Sequence, residues 1–533
     1  MRNLAPINLR HRWTAVAVLL AAVVVAAVAV ALSGGAGSRL VASGTTSVIP
    51  ADALAYVRVS LDRGSPAVQQ ALRVANRFPA FGLGGGVALG RLNQVLAGGR
   101  AVDYSSQVSP WIGHGAALAL LDTTTSTAGS LVVVEVSNRA RARRFVRAEG
   151  ATATGSYRGT TLLGYPNGAV LAFAGSDLVV GQDASVRAAV DVAAGVSPSL
   201  SSGAAYRRAA ATAPANRVLE AYASAAGVRR VLAGQSGVLG ALGGLLYQPA
   251  LQAVFMSLVP TGAGARIRFH SVLDRSRLTA RGPAFIPSLQ SAMPASASLM
   301  LDVMGLDHVV PQVLNAGSAV GITGGLGPVL SRLGSALSAE GVNVKDIVSL
   351  FHGESAVAIV PMAQSPALVI IARTSDPARA QTELAQLEAP LAKLFRVASG
   401  GSGSGLAFRD RRIAGITVHQ LQLTPGFQFD YAVLRGMVVI STGLQGMTQV
   451  VENSHPLAGD SSFTTALGGR PRLVTSLVFA NLAQLLKVGD MTSLTGSATW
   501  SRIQPDLRRI GAVGLTSSRG LADSTTELTI QVR

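Results

Sequence analysis

The longest uninterrupted apolar stretch lies near the start of the chain. Trp13 to Leu32, WTAVAVLLAAVVVAAVAVAL, is 20 residues without a charge. At about 1.5 Å rise per residue a helix of that length crosses a hydrocarbon core of roughly 30 Å. The pattern predicts a transmembrane anchor over residues 13–32, with Trp13, Leu19, Leu20, Val24, Val28 and Leu32 among its membrane-facing positions. Arg2, Arg10 and Arg12 precede it and only Arg39 follows closely. The positive-inside rule therefore predicts a cytoplasmic basic tail over residues 1–12 and an extracytoplasmic bulk. A cleaved signal peptide is the rival reading, because Ala29-Val30-Ala31 has the small-x-small form of a cleavage site. The run is longer than the usual apolar region of such peptides, about 7–15 residues, which favours a retained anchor. Residues 33–46 read as a Gly/Ser-rich tether.

Beyond residue 46 the apolar positions follow two periods. AALALL and LVVVEV are continuous apolar runs, as in strands covered on both faces, whereas RIRFHSV and ELTIQV alternate like half-exposed strands. YPNGAV and AGSDLV carry hairpin turn signals. Runs leading into Asn138 and Asp376 predict helices opened by a capping side chain. Neighbouring strands joined by short turns, with helices between them, predict a mostly antiparallel α+β architecture.

This pattern occurs twice. PADALAYVRVSLD from Pro50 corresponds to PASASLMLDVMGLD from Pro294, and His114-Gly115 corresponds to His352-Gly353. LVVVEVSNRARA corresponds to LVIIARTSDPARA, Tyr206 to Phe463, and Gln248-Pro249 to Gln504-Pro505, all in one order. The expected organisation is therefore an N-terminal transmembrane helix followed by two tandem repeats of one sheet-plus-helix unit, residues 47–275 and 288–533. The Pro- and Gly-containing residues 276–287 read as a linker.

The anchor, the IPADALAYVRV stretch, Phe78-Pro79 at the end of the first helix and the duplicated layout resemble the domain of unknown function 3352 family. Its members are membrane-anchored extracytoplasmic proteins seen mainly in actinobacteria. The resemblance implies a location and a fold. It brings no activity, so no residue acquires a role from it.

Charge changes the picture less than its size suggests. The net charge is +18, yet only Lys345, Lys393 and Lys487 are lysines, and the arginines are scattered singly or in pairs. The densest cluster, SNRARARRFVR, interleaves arginine with Ala140, Phe145 and Val146, which predicts an amphipathic helix with a solvated basic face. An anionic-lipid or nucleic-acid contact is the alternative there, and nucleic acid is not an expected partner of the chain. With no cysteine, disulfides, thiolate metal sites and cysteine nucleophiles are excluded.

The remaining chemistry is thin. His114 and His352 read as turn histidines before glycine, and His11, His270, His308, His419 and His455 form no H-x-x-x-H spacing. No G-x-S-x-G, S-x-x-K or phosphate-binding glycine motif is present, and 27 acidic residues make a two-carboxylate or Ca²⁺ site an unlooked-for feature. No catalytic, metal or cofactor residue is expected. VLAGQSGVLGALGGLLYQ and FGLGGGVALG are apolar, glycine-rich segments outside the obvious strands; they read as a core helix with surface loops, as a contact with the outer membrane face, or as the lining of a groove for which Leu239, Leu242, Leu245 and Leu246 are the candidate residues. The expected function is a non-enzymatic binding or scaffolding module of the cell envelope. A carrier of lipid or lipoglycan is the alternative and a cryptic envelope hydrolase the third reading, with the membrane, a lipid or an envelope protein as partners.

Overall fold

The computed structural model describes residues 44–62, 64–78, 95–100, 102–121, 129–232, 250–278, 283–305, 351–362, 366–398, 406–424, 427–491 and 504–533. The predicted anchor (Trp13, Leu19, Leu20, Val24, Val28, Leu32) and the topology-setting Arg2, Arg10 and Arg12 lie outside them. Among the described residues no helix is long and apolar enough to cross a membrane. These residues fall into two units, one drawn mainly from residues up to 278 and one mainly from 279 onward. Both are α+β, with mostly antiparallel sheet and several helices.

The first unit has ten strands: β1 (Ala55–Ser60), β2 (Ile112–Leu121), β3 (Gly129–Val136), β4 (Thr152–Tyr157), β5 (Thr160–Gly164), β6 (Val170–Ala174), β7 (Asp177–Gly181), β8 (Leu219–Ser224), β9 (Leu251–Thr261) and β10 (Gly264–Leu273). They pair antiparallel in the order 10-9-8-1-2-3-7-6-5-4. The turns read from YPNGAV and AGSDLV join β5 to β6 and β6 to β7, where Gly168 and Gly175 take positive φ. Helices cover both faces. α1 (Pro66–Ala75) starts on a proline, whose absent N–H is one that the first turn leaves unbonded anyway, and buries Val68 and Ala71 with Val57 and Val59. α2 (Arg139–Ala148) packs Phe145 and Val146 with Trp111 on the same side. α3 (Asp183–Ala193) and α4 (Ala204–Ala210) cover the opposite face. There Tyr206 of α4 meets Tyr222 and Phe255 edge-on, with centroids 5.3 and 6.1 Å away. A short helix, α5 (Ala225–Leu232), follows β8.

The second unit also has ten strands: β11 (Leu299–Met304), β12 (Glu354–Val360), β13 (Ala367–Arg373), β14 (Arg409–Ile413), β15 (Ile416–Thr424), β16 (Phe427–Leu434), β17 (Met437–Ser441), β18 (Ser476–Asn481), β19 (Ile510–Arg519) and β20 (Asp523–Val532). Their order is 20-19-18-11-12-13-17-16-15-14. α6 (Pro377–Ala398) lies on one face over Tyr431 and Val438. α7 (Leu444–Glu452) and α8 (Ser461–Leu467) cover the other, where Phe463 meets Phe479 edge-on at 5.3 Å. Leu482–Met491 forms α9. Phe285, in the stretch read as linker, is 4% exposed in this core and bridges to Val474.

Both predicted caps form. The Asn138 side chain accepts the N–H of Arg141 at 3.0 Å, and that of Asp376 accepts the N–H of Arg379 at 2.9 Å. His114 differs from expectation: it sits inside β2 rather than in a turn.

Candidate functional site

The apolar strands of each unit are interrupted by a few charges, and the sheets bring these together. Arg58 is the lone charge of β1. Its Nη2 donates to Glu135 Oε1 of β3 at 3.1 Å, passing across the intervening β2. Gly115 of β2 makes the crossing possible, since a Cβ there would stand 2.7–2.9 Å from the guanidinium. Asp177 of β7 stands opposite Glu135 in the ladder. It is fully buried with neither carboxyl oxygen hydrogen-bonded, and burial, then the charge of Glu135, pushes its pKa up to about 7. Toward the other side of β1, Tyr56 donates to Glu220 at 2.8 Å, and Arg217 closes on the same carboxylate. Burial and Glu220 raise the Tyr56 phenol well above its ordinary value.

In the second unit the lone charge of the central strand is a carboxylate. Asp302 of β11 is fully buried, and no N–H or hydroxyl group donates to either of its oxygens. Burial first, and Glu354 second, push it up to about 9. Glu354, at the start of β12, accepts from the N–H groups of Ser288 and Leu289 and from Ser288 Oγ, and Arg373 Nε lies 3.3 Å from its Oε2. Gly353 is required here too: its Cβ would meet the Arg373 carbonyl at 2.6 Å. Each sheet thus gathers carboxyl groups beside arginine: Glu135, Asp177 and Glu220 with Arg58 and Arg217 in the first unit, and Asp302 and Glu354 with Arg373 in the second. An acidic pair was not expected from so few acidic residues; folding gathers carboxylates that sequence scatters.

A third cluster surrounds His419, which stacks on Tyr431 at 4.6 Å. Its Nδ1 is 2.9 Å from Asp410 and 3.1 Å from Glu388, and its Nε2 is 3.0 Å from Gln381. The Tyr431 hydroxyl also donates to Glu388. Both ring nitrogens are engaged, which suits a packed histidine better than a proton shuttle. Among the described residues no group of three His, Asp or Glu could hold a metal ion. His114 is more than half exposed, with Nδ1 3.9 Å from Asp62.

Two concavities stand out among the described residues. One, of about 510 Å³, opens on the first unit's sheet on the side carrying α1 and α2. Val57, Leu118, Leu120, Val132 and Val180 make its apolar floor, and Ser130, Asn167 and Gln182 add polar groups. The other, of about 540 Å³ in the second unit, is polar and lined by His352, Arg373, Asp376, Arg379 and Glu383. Leu239, Leu242, Leu245 and Leu246, the groove residues expected from sequence, lie outside the described residues. Sequence reasoning passed over the buried charges, although single charged residues inside AYVRVS, LVVVEV and LMLDVM were a signal that could have located them.

No curated protein matches the chain. The solved structure titled "Structure of crystal form I of TP0453" matches at 9% identity and a TM-score of 0.26, covering 46% of this chain and 89% of that one. A likeness that slight carries no argument. A family model described as "Protein of unknown function (DUF3352)" matches residues 13–533, nearly the whole length. The chain belongs to the DUF3352 family.

Proposed function

We propose that this protein is a single-pass, membrane-anchored module of the cell envelope that binds rather than transforms, and that its ligand is the apolar chain of a lipid or lipoglycan. The observation that carries the reading is the apolar concavity of about 510 Å³ on the first unit, within the range of roughly 300–1,000 Å³ that small-molecule sites occupy. An aliphatic floor with three polar side chains suits an acyl chain whose head group meets the polar groups. Glu135, Glu220 and Glu354 are engaged by the protein's own arginines, hydroxyls and backbone, which supports a binding role for the chain rather than catalysis. The uncharged stretch from Trp13 to Leu32, with arginines before it, supports the anchor and an extracytoplasmic bulk. Identical strand orders in the two units, together with the ordered sequence matches, support descent from one duplicated unit.

The test is native mass spectrometry with lipid extraction on the full chain purified from an envelope-containing host. Bound lipid that is lost on Leu118→Arg, with unchanged unfolding, supports the reading. A clean protein, or lipid retained by that variant, moves the weight to a protein-binding scaffold.

A further inference from the structure

We infer that the exposed arginine face of α2 is an electrostatic contact for an anionic membrane surface, an inference that rests on the tethered topology proposed above. The ten residues of α2 include Arg139, Arg141, Arg143, Arg144 and Arg147, all exposed, and no acidic residue. Among the described residues none of the five makes an ion pair. Glu149, just past the helix, is turned inward with its side chain 12% exposed, and it lies 4.0 Å from Arg100. Arg139 and Arg143 lie over the Phe173 ring at 5.3 and 5.5 Å, which holds two of the guanidinium groups at the surface.

The apolar face of the helix is already occupied. Ala142, Phe145 and Val146 are buried in the unit, with Phe145 against Trp111 at a centroid distance of 5.3 Å. α2 therefore cannot insert its apolar side into lipid as a free amphipathic helix does. It offers a partner charge alone, and that contact weakens with salt over a screening length of about 10 Å at 0.1 M.

The tether argues for a membrane rather than another polyanion. From Leu32 to Gly44 the chain has 12 steps, at most about 40 Å when fully extended. A unit held that close meets the bilayer at high effective concentration, so a weak contact suffices. Nucleic acid is disfavoured because the helix face offers no exposed aromatic side chain for base stacking.

The chain has no cysteine, so Ala140→Cys, at an exposed position among the arginines, gives a single labelling site. The full chain carrying an environment-sensitive dye there is reconstituted into vesicles containing a head-group quencher. The vesicles are either pure phosphatidylcholine or phosphatidylcholine with phosphatidylglycerol. The expected result is quenching in the phosphatidylglycerol vesicles that is suppressed by high salt. Changing Arg141, Arg144 and Arg147 to Gln should lower the ratio of docked to free units about fivefold per arginine, on the order of a hundredfold together. The triple Lys variant should retain docking, which separates charge from misfolding. Equal quenching in both vesicles, or no change in the Gln variant, overturns the inference. So does tighter binding of an oligonucleotide than of phosphatidylglycerol vesicles at about 0.15 M salt. Flotation with pure phosphatidylcholine vesicles reports the anchor separately. If flotation fails, phosphatidylglycerol vesicles added to the soluble chain still test the arginine face.

Discussion

Arg58 and Glu135 sit on strands that are not neighbours, and the guanidinium reaches its carboxylate at 3.1 Å only by lying over Gly115 of the strand between them. Both side chains are largely buried, with 12% and 18% of their surface exposed. Separating such a pair leaves charges with little water to compensate them, which is costlier than never placing them there. The glycine of the His-Gly dipeptide that recurs in the sequence thus has a steric reason in each unit.

Gly115→Ala should destabilise the first unit, by about 1–3 kcal/mol, because the new methyl group displaces the guanidinium from Glu135. Urea unfolding measures it. Combining Gly115→Ala with Arg58→Met and Glu135→Met should recover much of the loss, and a strictly additive triple variant would show that the pair is not what the glycine protects.

The buried acids set the pH dependence. Asp302 is raised to about 9 and Asp177 to about 7, against about 3.9 for an unfolded aspartate. The folded state therefore binds these protons more tightly than the unfolded state. Their contribution is fully present below pH 4 and is lost as pH rises, through about 7 for Asp177 and about 9 for Asp302. The slope approaches 1.4 kcal/mol per pH unit for each group. Asp302→Asn should flatten the upper part of this dependence and raise the melting temperature at pH 8. A melting temperature that rises between pH 5 and 8 in the parent chain and is unaltered in the variant would refute the account.

Tyr206→Ala and Phe463→Ala should each cost about 3–5 kcal/mol, since each ring is buried under a short helix against other aromatic rings. Hydrogen exchange should show the loss in the strands beneath: β8 and β9 for Tyr206, β18 and β19 for Phe463. Exchange accelerated evenly over both units by either variant would contradict it.

Asn138→Ala and Asp376→Ala each remove the acceptor of one helix-opening N–H group and should cost about 1 kcal/mol. Asn138→Asp should be tolerated, because it keeps an acceptor at the same place. Chemical denaturation of the three variants checks both statements.

Much of the architecture was legible because it is local. Continuous apolar runs mark β2 and β3, turn residues mark the hairpins around β6, and a polar side chain ahead of each predicted helix marks the caps. The candidate sites were not legible in this way. Arg58 and Glu135 are 77 positions apart, and Ser288 and Glu354 are 66 apart. The elements holding Asp410, Glu388 and Tyr431 had to be folded before His419 ceased to look isolated.

The sequence by itself determined the α+β class, the family and the absence of cysteine chemistry, since periodicity, turn residues and composition all act over a few neighbouring positions. Tertiary structure decided which charges share a buried site, which glycines must stay bare and where an apolar concavity opens. These depend on strand register, and a step of one residue sends a side chain to the opposite face of its sheet.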